Sequence, residues 1–239
     1  MPNPTAAMLV IGDEILSGRT HDSNTHHLAG VLTEAGIDLR EARVVSDDAD
    51  DIIAAVKALS ARYDHVFTSG GIGPTHDDIT ADAVAAAMGA PIGVREDARA
   101  ILAAHYEKSG VELNAARLRM ARIPEGARLI DNPVSAAPGF IIDNVHVMAG
   151  VPAIFKAMVA SVVPGLTGGA PLLSRNMDVY RGEGDIAAPL SDLAARYPML
   201  SFGSYPFQRG GAYCTNVVTR GQDAAALDAA LAEMQEIFG

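Results

Sequence analysis

Up to Gly165 the apolar positions change period again and again. "AAMLVIG", residues 6–12, is a short apolar run ending at Gly12 and reads as a strand. In "HDSNTHHLAGVLTEAG", Leu28, Val31, Leu32 and Ala35 recur at i, i+3, i+4 and i+7, which predicts a helix with one apolar face. Asp22, Ser23 and Asn24 are its candidate N-caps and Gly36 its C-cap. "IDLREARVV" reads as a strand, and "DADDIIAAVKALSARY" places Ile52, Ile53, Val56 and Leu59 on one helical face. "HVFTSG" is a third strand, followed by a glycine-rich loop and a helix from Ala81 to Met88. This β-α-β-α-β order predicts an α/β fold, a largely parallel sheet with helices on both faces.

Beyond Met88 the alternation loosens. "REDARAILAAHYEKSG" and "ELNAARLRMARI" read as consecutive helices, and "PEGARLIDNPVSAAPG" as a loop. "FIID" and "VHVMAG" form a predicted hairpin around Asp143-Asn144. "VPAIFKAMVASVV" is a helix opened by Pro152 and stopped by Pro164-Gly165. "TGGAP", residues 167–171, is the best linker, which divides the chain into domains at 1–168 and 169–239. The second domain is predicted as small and α+β: a strand (Leu172–Tyr180), a helix, two strands joined at Gln208–Gly211, and a terminal helix.

Composition narrows the function classes. Lys and Arg number 18 against 29 acids, a net charge of −11, which suits neither the coating of a phosphate backbone nor nucleic-acid binding. No apolar run reaches the length of a membrane span, and the N-terminus lacks the pattern of a signal peptide. The single cysteine, Cys214, excludes an internal disulfide, and together these features point to the cytoplasm.

The chemistry concentrates in "TSGGIGPTHDDIT", residues 68–80. In a parallel sheet, ligands bind beyond the carboxyl ends of the strands, where this loop falls. Gly70, Gly71 and Gly73 suit a turn whose backbone N–H groups converge on an anion such as a phosphate, with Ser69 and Pro74 flanking them as further candidate ligand-binding residues. The rival reading is a bare structural turn. Asp78 or Thr80 would cap the next helix, but a cap needs only one of them. Asp77 beside Asp78, next to a phosphate seat, makes sense if a cation or a proton is shared there, the alternative being one cap plus one solvated carboxylate; Mg²⁺ takes one or two carboxylates plus substrate oxygens. "IGDEILSG" brings Gly12, Asp13, Glu14, Ser17 and Gly18 to the same sheet edge, and "VVSDD" brings Ser46, Asp47 and Asp48.

These motifs carry a resemblance. "SGGIGPTHDDIT" resembles the signature of the MoaB/Mog molybdopterin-binding domain. "GDEILSG", "NPVSAAPGF" (132–140, with Pro138 and Gly139), "MAGVP" (148–152), "RGEGDIAAPLSDL" and "FGSYPF" narrow it to the CinA-like branch, the competence/damage-inducible protein A group. The resemblance implies a three-layer α/β/α sandwich whose strand-end pocket binds molybdopterin or a nucleotide. It implies metal-dependent hydrolysis (Mg²⁺, Mn²⁺ or Co²⁺) of an ADP-ribose-like or FAD-like pyrophosphate, with molybdopterin adenylyl transfer or ligand binding without catalysis as alternatives. The acids of the Mog pattern fall on Asp47 and Asp78, expected as catalytic, with Asp77 and Asp78 as metal ligands. It also implies a homo-oligomer, a dimer or trimer. The amidase domain of full CinA proteins is not expected here. One departure stands out: Ser135-Ala136 replaces the Gly-Thr usual in that loop.

Other features read more plainly. His76 is expected as a solvent-facing loop residue, and His26-His27 lack metal-ligand spacing. Cys214 reads as packing and the "RGG" at 209–211 as a hairpin turn. Arg117, Arg119 and Arg122 read as a solvated face, with the alternative that one swings over the acidic rim.

Overall fold

The apolar run at the start of the chain forms β1 (Thr5–Ile11), and its side chains alternate between two cores. Ala7, Leu9 and Ile11 enter one; Ala6, Met8 and Val10 enter the other. A strand buried on both faces belongs to the middle of a three-layer structure. The structure, a computed structural model, describes residues 2–239. It divides into two units, one ending at Gly169 and one spanning Ala170–Gly239.

In the first unit, β1 is followed by the short α1 (Asp13–Leu16), then α2 (Asn24–Glu34), β2 (Asp38–Val45), α3 (Ala49–Ser60), β3 (His65–Ser69) and α4 (Thr80–Met88). Next come β4 (Ile92–Val94), α5 (Glu96–Ser109), α6 (Ala115–Leu118), β5 (Arg122–Pro124), β6 (Arg128–Ile130), β7 (Gly139–Ile142), β8 (Val145–Met148) and α7 (Pro152–Val162). The six-stranded sheet runs β2-β1-β3-β8-β7-β6. β2, β1, β3 and β8 are parallel, and β7 is antiparallel to both its neighbours. α2 and α7 cover one face, while α3, α4 and α5 cover the other. This is the α/β/α sandwich.

The chain leaves β1 towards β2 on one side and returns to β3 on the other, so a topological switch point lies between β1 and β3. The register aligns Ile11 with Val45, Val10 with Ser69, and Ser69 with Met148. Four parallel strands therefore end at one edge, the place where a parallel sheet leaves room for a ligand.

The second unit comprises β9 (Leu173–Val179), α8 (Glu183–Arg196), β10 (Ser201–Arg209), β11 (Ala212–Gly221) and α9 (Ala224–Phe238). Its antiparallel sheet runs β10-β11-β9. Val179, Ile186, Leu193, Val217, Met234 and Phe238 form a core between the sheet and the two helices. Cys214 is buried, in keeping with a packing role.

Three expectations need correction. "ELNAARLRMARI" is not one helix: after Asn114 caps a single turn, α6 stops at Leu118, a 3₁₀ turn covers Arg119–Ala121, and β5 begins. Pairing of β5 with β4 wins over local helix preference there. The supposed loop after it contains β6, too short for periodicity to reveal. Neither Asp78 nor Thr80 caps α4; the N-cap is Ile79, with no side-chain bond. Asp78 is captured inside the loop instead, and Thr80 is fully buried as the first helical residue.

Candidate functional site

The glycine loop leaves β3 in a conformation that few side chains permit. Gly70 has φ 113° and lies so close to the Ile11 carbonyl that a Cβ would collide with it. Its N–H donates to the Met148 carbonyl at 3.2 Å. Gly71 has φ 66°, and a Cβ there would run into the Thr80 hydroxyl. The Thr80 N–H donates back to the Gly71 carbonyl at 2.9 Å. Further along, Asp78 folds over Gly73, and Asp78 Oδ2 accepts from the N–H and hydroxyl of Thr75 at 2.8 and 2.6 Å.

This loop borders a cleft of about 350 Å³. Backbone of Gly70, Gly71 and Gly73 forms one side, with Pro74 and Asp78 beyond it. Ile72, Met120, Val151 and Ile154 supply an apolar wall; Glu14, Asn132 and Ser135 add polar groups. An apolar cavity with a few convergent polar groups suits a flat organic ring carrying an anion.

Carboxylates crowd the neighbouring edge. Asp47 Oδ2 accepts the N–H of Asp13 at 2.9 Å, the first residue of α1. Burial pushes the Asp47 carboxyl above its usual range, and the charges of Asp13, Glu14 and Asp77 push it the same way. Asp77 is held below the usual carboxylate range, first by its hydrogen bond with Thr75. Asp48, by contrast, is spent as the cap of α3, accepting from the N–H groups of Asp50 and Asp51.

Of the residues singled out from the sequence, Glu14, Gly70, Gly71, Gly73, Pro74 and Asp78 line the cleft. Gly12 lies under the Glu14 carboxylate. Asp13, Asp47 and Asp77 share the acidic edge. Ser69 is buried behind the loop, its hydroxyl accepting from Asn24. Pro138 lines a narrow crevice of about 10 Å³ that shares Gly73, Asp78 and Met120 with the cleft. Ser17, Gly18, Thr80 and Gly139 do not line the cleft: the first two follow α1, Thr80 lies beneath Gly71, and Gly139 starts β7. His76 is almost fully exposed.

Two contributors, Asn24 and Asn132, were not singled out as site residues, and a third, Arg119, was read as solvated with the acidic rim as its alternative. Asn24 is buried and its Nδ2 donates to Ser69 Oγ and the Gly150 carbonyl, both at 2.8 Å, tying α2 to two loops of the site. The sequence offered it only as a helix cap; the bonds that place α2's start come from Asp22, whose Oδ1 accepts the N–H groups of Asn24 and Thr25. Asn132 folds the 132–137 turn, its Nδ2 donating to Ser135 Oγ and the Ala137 carbonyl and its Oδ1 accepting from Val134 and Ser135. Ser135 of the Ser135-Ala136 pair lines the cleft, and Ala136 takes φ 63° without being glycine. Arg119 is no freely solvated side chain: its Nη2 donates to the Asp78 carbonyl at 3.2 Å. Arg117 stacks over Tyr106, and Arg122 pairs with Asp82.

Among the described residues, no group of three or more His, Cys, Asp or Glu side chains is arranged to hold a metal ion. The donors present fit only a cation completed by ligand oxygens, the mode Mg²⁺ adopts with phosphates. No helix among the described residues is long and apolar enough to cross a membrane.

Fold and loop together place the first unit in the α/β/α class, with a cleft at the strand ends. The chain belongs to the family described as probable molybdopterin binding domain, whose model matches residues 7–168. Residues 171–239 match the model of the FAD synthase middle domain. A protein of Caldivirga maquilingensis is 38% identical over 165 residues, 67% of this chain and 64% of that protein. A CinA-like protein of Desulfosudis oleivorans is 35% identical over 209 residues, 83% of this chain and 51% of the relative. The chain thus spans about half to two thirds of these relatives' lengths. The crystal structure of CinA from Thermoplasma acidophilum, described as of unknown function, matches 68% of this chain and 97% of its own with 36% identity and a TM-score of 0.63.

Proposed function

We propose that this chain binds a pyrophosphate-containing nucleotide in the cleft beside Gly70–Gly73 and hydrolyses it with the aid of a divalent metal. The observation that carries this reading is the meeting of three surfaces: a positive-φ glycine loop and an apolar wall in one cleft, with a carboxylate edge beside it. Backbone N–H groups of the loop would meet the phosphates. Ile72, Met120 and Ile154 would cover a planar ring. Asp78 and Asp77, with ligand oxygens, would hold the metal, which when bound supplies charge neutralisation and a more acidic water. Asp47 is suited to take a proton, because its burial raises its affinity for one.

The family match to a probable molybdopterin binding domain supports a second reading, a pterin ligand and adenylyl transfer. The same cleft without the chemistry would be a ligand-binding module. The test is incubation with ADP-ribose, FAD, NAD or a molybdopterin source, each with Mg²⁺, Mn²⁺ or Co²⁺, and products resolved by mass. Cleavage of ADP-ribose or FAD to monophosphates is the expected result. Adenylylated pterin without dinucleotide cleavage would favour the second reading, and binding without products the third.

A further inference from the structure

We infer that Arg119 is the cationic partner of the anion seated at the glycine loop, an inference that rests on the nucleotide reading above. Three arginines occur within six residues, and their fates differ. Arg117 stacks over Tyr106 at 5.2 Å and donates to the Glu112 carbonyl at 2.8 Å. Arg122 is paired with Asp82. Arg119 has no carboxylate within ion-pair distance among the described residues, and its Nε is buried without an acceptor. A guanidinium drawn partly from water with no counter-charge is costly unless something anionic comes to it.

Its placement suggests what comes. Arg119 Nη2 holds the Asp78 carbonyl, and the side chain lines the crevice shared with Gly73, Asp78 and Met120, three residues that also border the cleft. The backbone break is what aims it there: α6 ends at Leu118 and the 3₁₀ turn at Arg119–Ala121 redirects the chain, so Arg119 and Met120 meet the loop while Ala121 is buried. The surrounding edge is acidic, with Asp13, Glu14, Asp47 and Asp77 close together. Backbone dipoles alone would face that field when seating a phosphate. One guanidinium at the loop offsets it and adds a charge-assisted hydrogen bond. A short rotation about the side-chain torsions exchanges the Asp78 carbonyl for a phosphate oxygen.

The experiment is calorimetric titration of wild type, R119Q, R119K and the control R117Q with inorganic pyrophosphate and with ADP-ribose, at two salt concentrations. R119Q is expected to weaken both probes by about 10- to 100-fold and to flatten the salt dependence. R119K, which keeps the charge, is expected to retain most of the affinity, and R117Q all of it. A purely structural role through the Asp78 carbonyl predicts equal losses in R119Q and R119K with unchanged salt dependence, which would overturn the inference. Equal binding by R119Q and wild type would do the same while leaving the nucleotide reading intact. Failure of wild type to bind either probe would overturn both. Thermal melts of each variant separate lost binding from lost folding; if R119Q does not fold, R119K against R119M carries the comparison.

Discussion

Asp78 Oδ2 accepts two hydrogen bonds from Thr75, one from its N–H and one from its hydroxyl, and so closes the glycine loop on itself. A residue expected to cap α4 is therefore a pin for the loop, with its carboxylate facing the cleft. Asp78→Asn keeps an oxygen for Thr75, so stability is expected to change by less than about 1 kcal/mol. Turnover of ADP-ribose under the proposed function is expected to fall by about 100-fold, because the charge is lost. Thr75→Val loosens the same pin but keeps the charge, and is expected to cost far less turnover. Melting and product formation measured on both variants decide it; unimpaired turnover in Asp78→Asn would leave Asp78 as a pin alone.

Asp47 gives a pH prediction with a definite sign. Its carboxyl is raised above the usual value of 3.8, chiefly by burial and then by Asp13, Glu14 and Asp77. Its contribution to stability is full below the unfolded value and is lost as pH rises through the higher folded value. Asp47→Asn keeps an acceptor for the Asp13 N–H and never ionises. It is expected to melt higher than wild type at pH 7, with the difference vanishing below about pH 4. Melting curves of both proteins across pH 3–7 are the check, and an equal gap at both ends would refute the assignment.

His146 behaves in the opposite sense. It is buried in β8, stacked on Phe67 at 4.7 Å, with Nε2 3.4 Å from His65 Nδ1. Burial, then the charges of His65 and Arg128, lower its pKa from 6.5 to about 3. An unfolded histidine takes up its proton near 6.5, so stability present above that pH is lost as pH falls towards 3. His146→Leu is expected to flatten that decline, at some cost in packing at pH 7. The quantity to compare is the drop in melting temperature between pH 7 and pH 4 in each protein.

Gly71 and Thr80 form a pair that a double-mutant cycle can test. Gly71→Ala places a methyl group against the Thr80 hydroxyl and strains a φ of 66°, with an expected loss of about 2 kcal/mol or more. Adding Thr80→Ala removes the hydroxyl, so part of that loss should return while the φ strain remains. Denaturant unfolding of the four proteins gives the coupling; strict additivity would mean the loop relaxes away from α4.

Much of this protein was legible in the residue pattern because local rules suffice for it. The apolar run at residues 6–11 and the i, i+3, i+4, i+7 spacing of Leu28 to Ala35 identify a strand and a helix whose burial follows from their own period. Glycines at 70, 71 and 73 after an apolar strand announce a backbone that needs positive φ or close approach; the first two take positive φ, and Asp78 closes over the third. What tertiary structure decided are the matters that depend on partners far away in sequence. Arg119 faces the loop because β5 pairs with β4 and breaks the helix that local spacing favoured. Asn24 clamps Ser69 and Gly150, residues 45 and 126 positions away, and no local period encodes such a bond. The Asp47 carboxyl is raised by burial and by acids from two other segments, α1 and the glycine loop, a sum of fields that exists only once the strand ends are side by side.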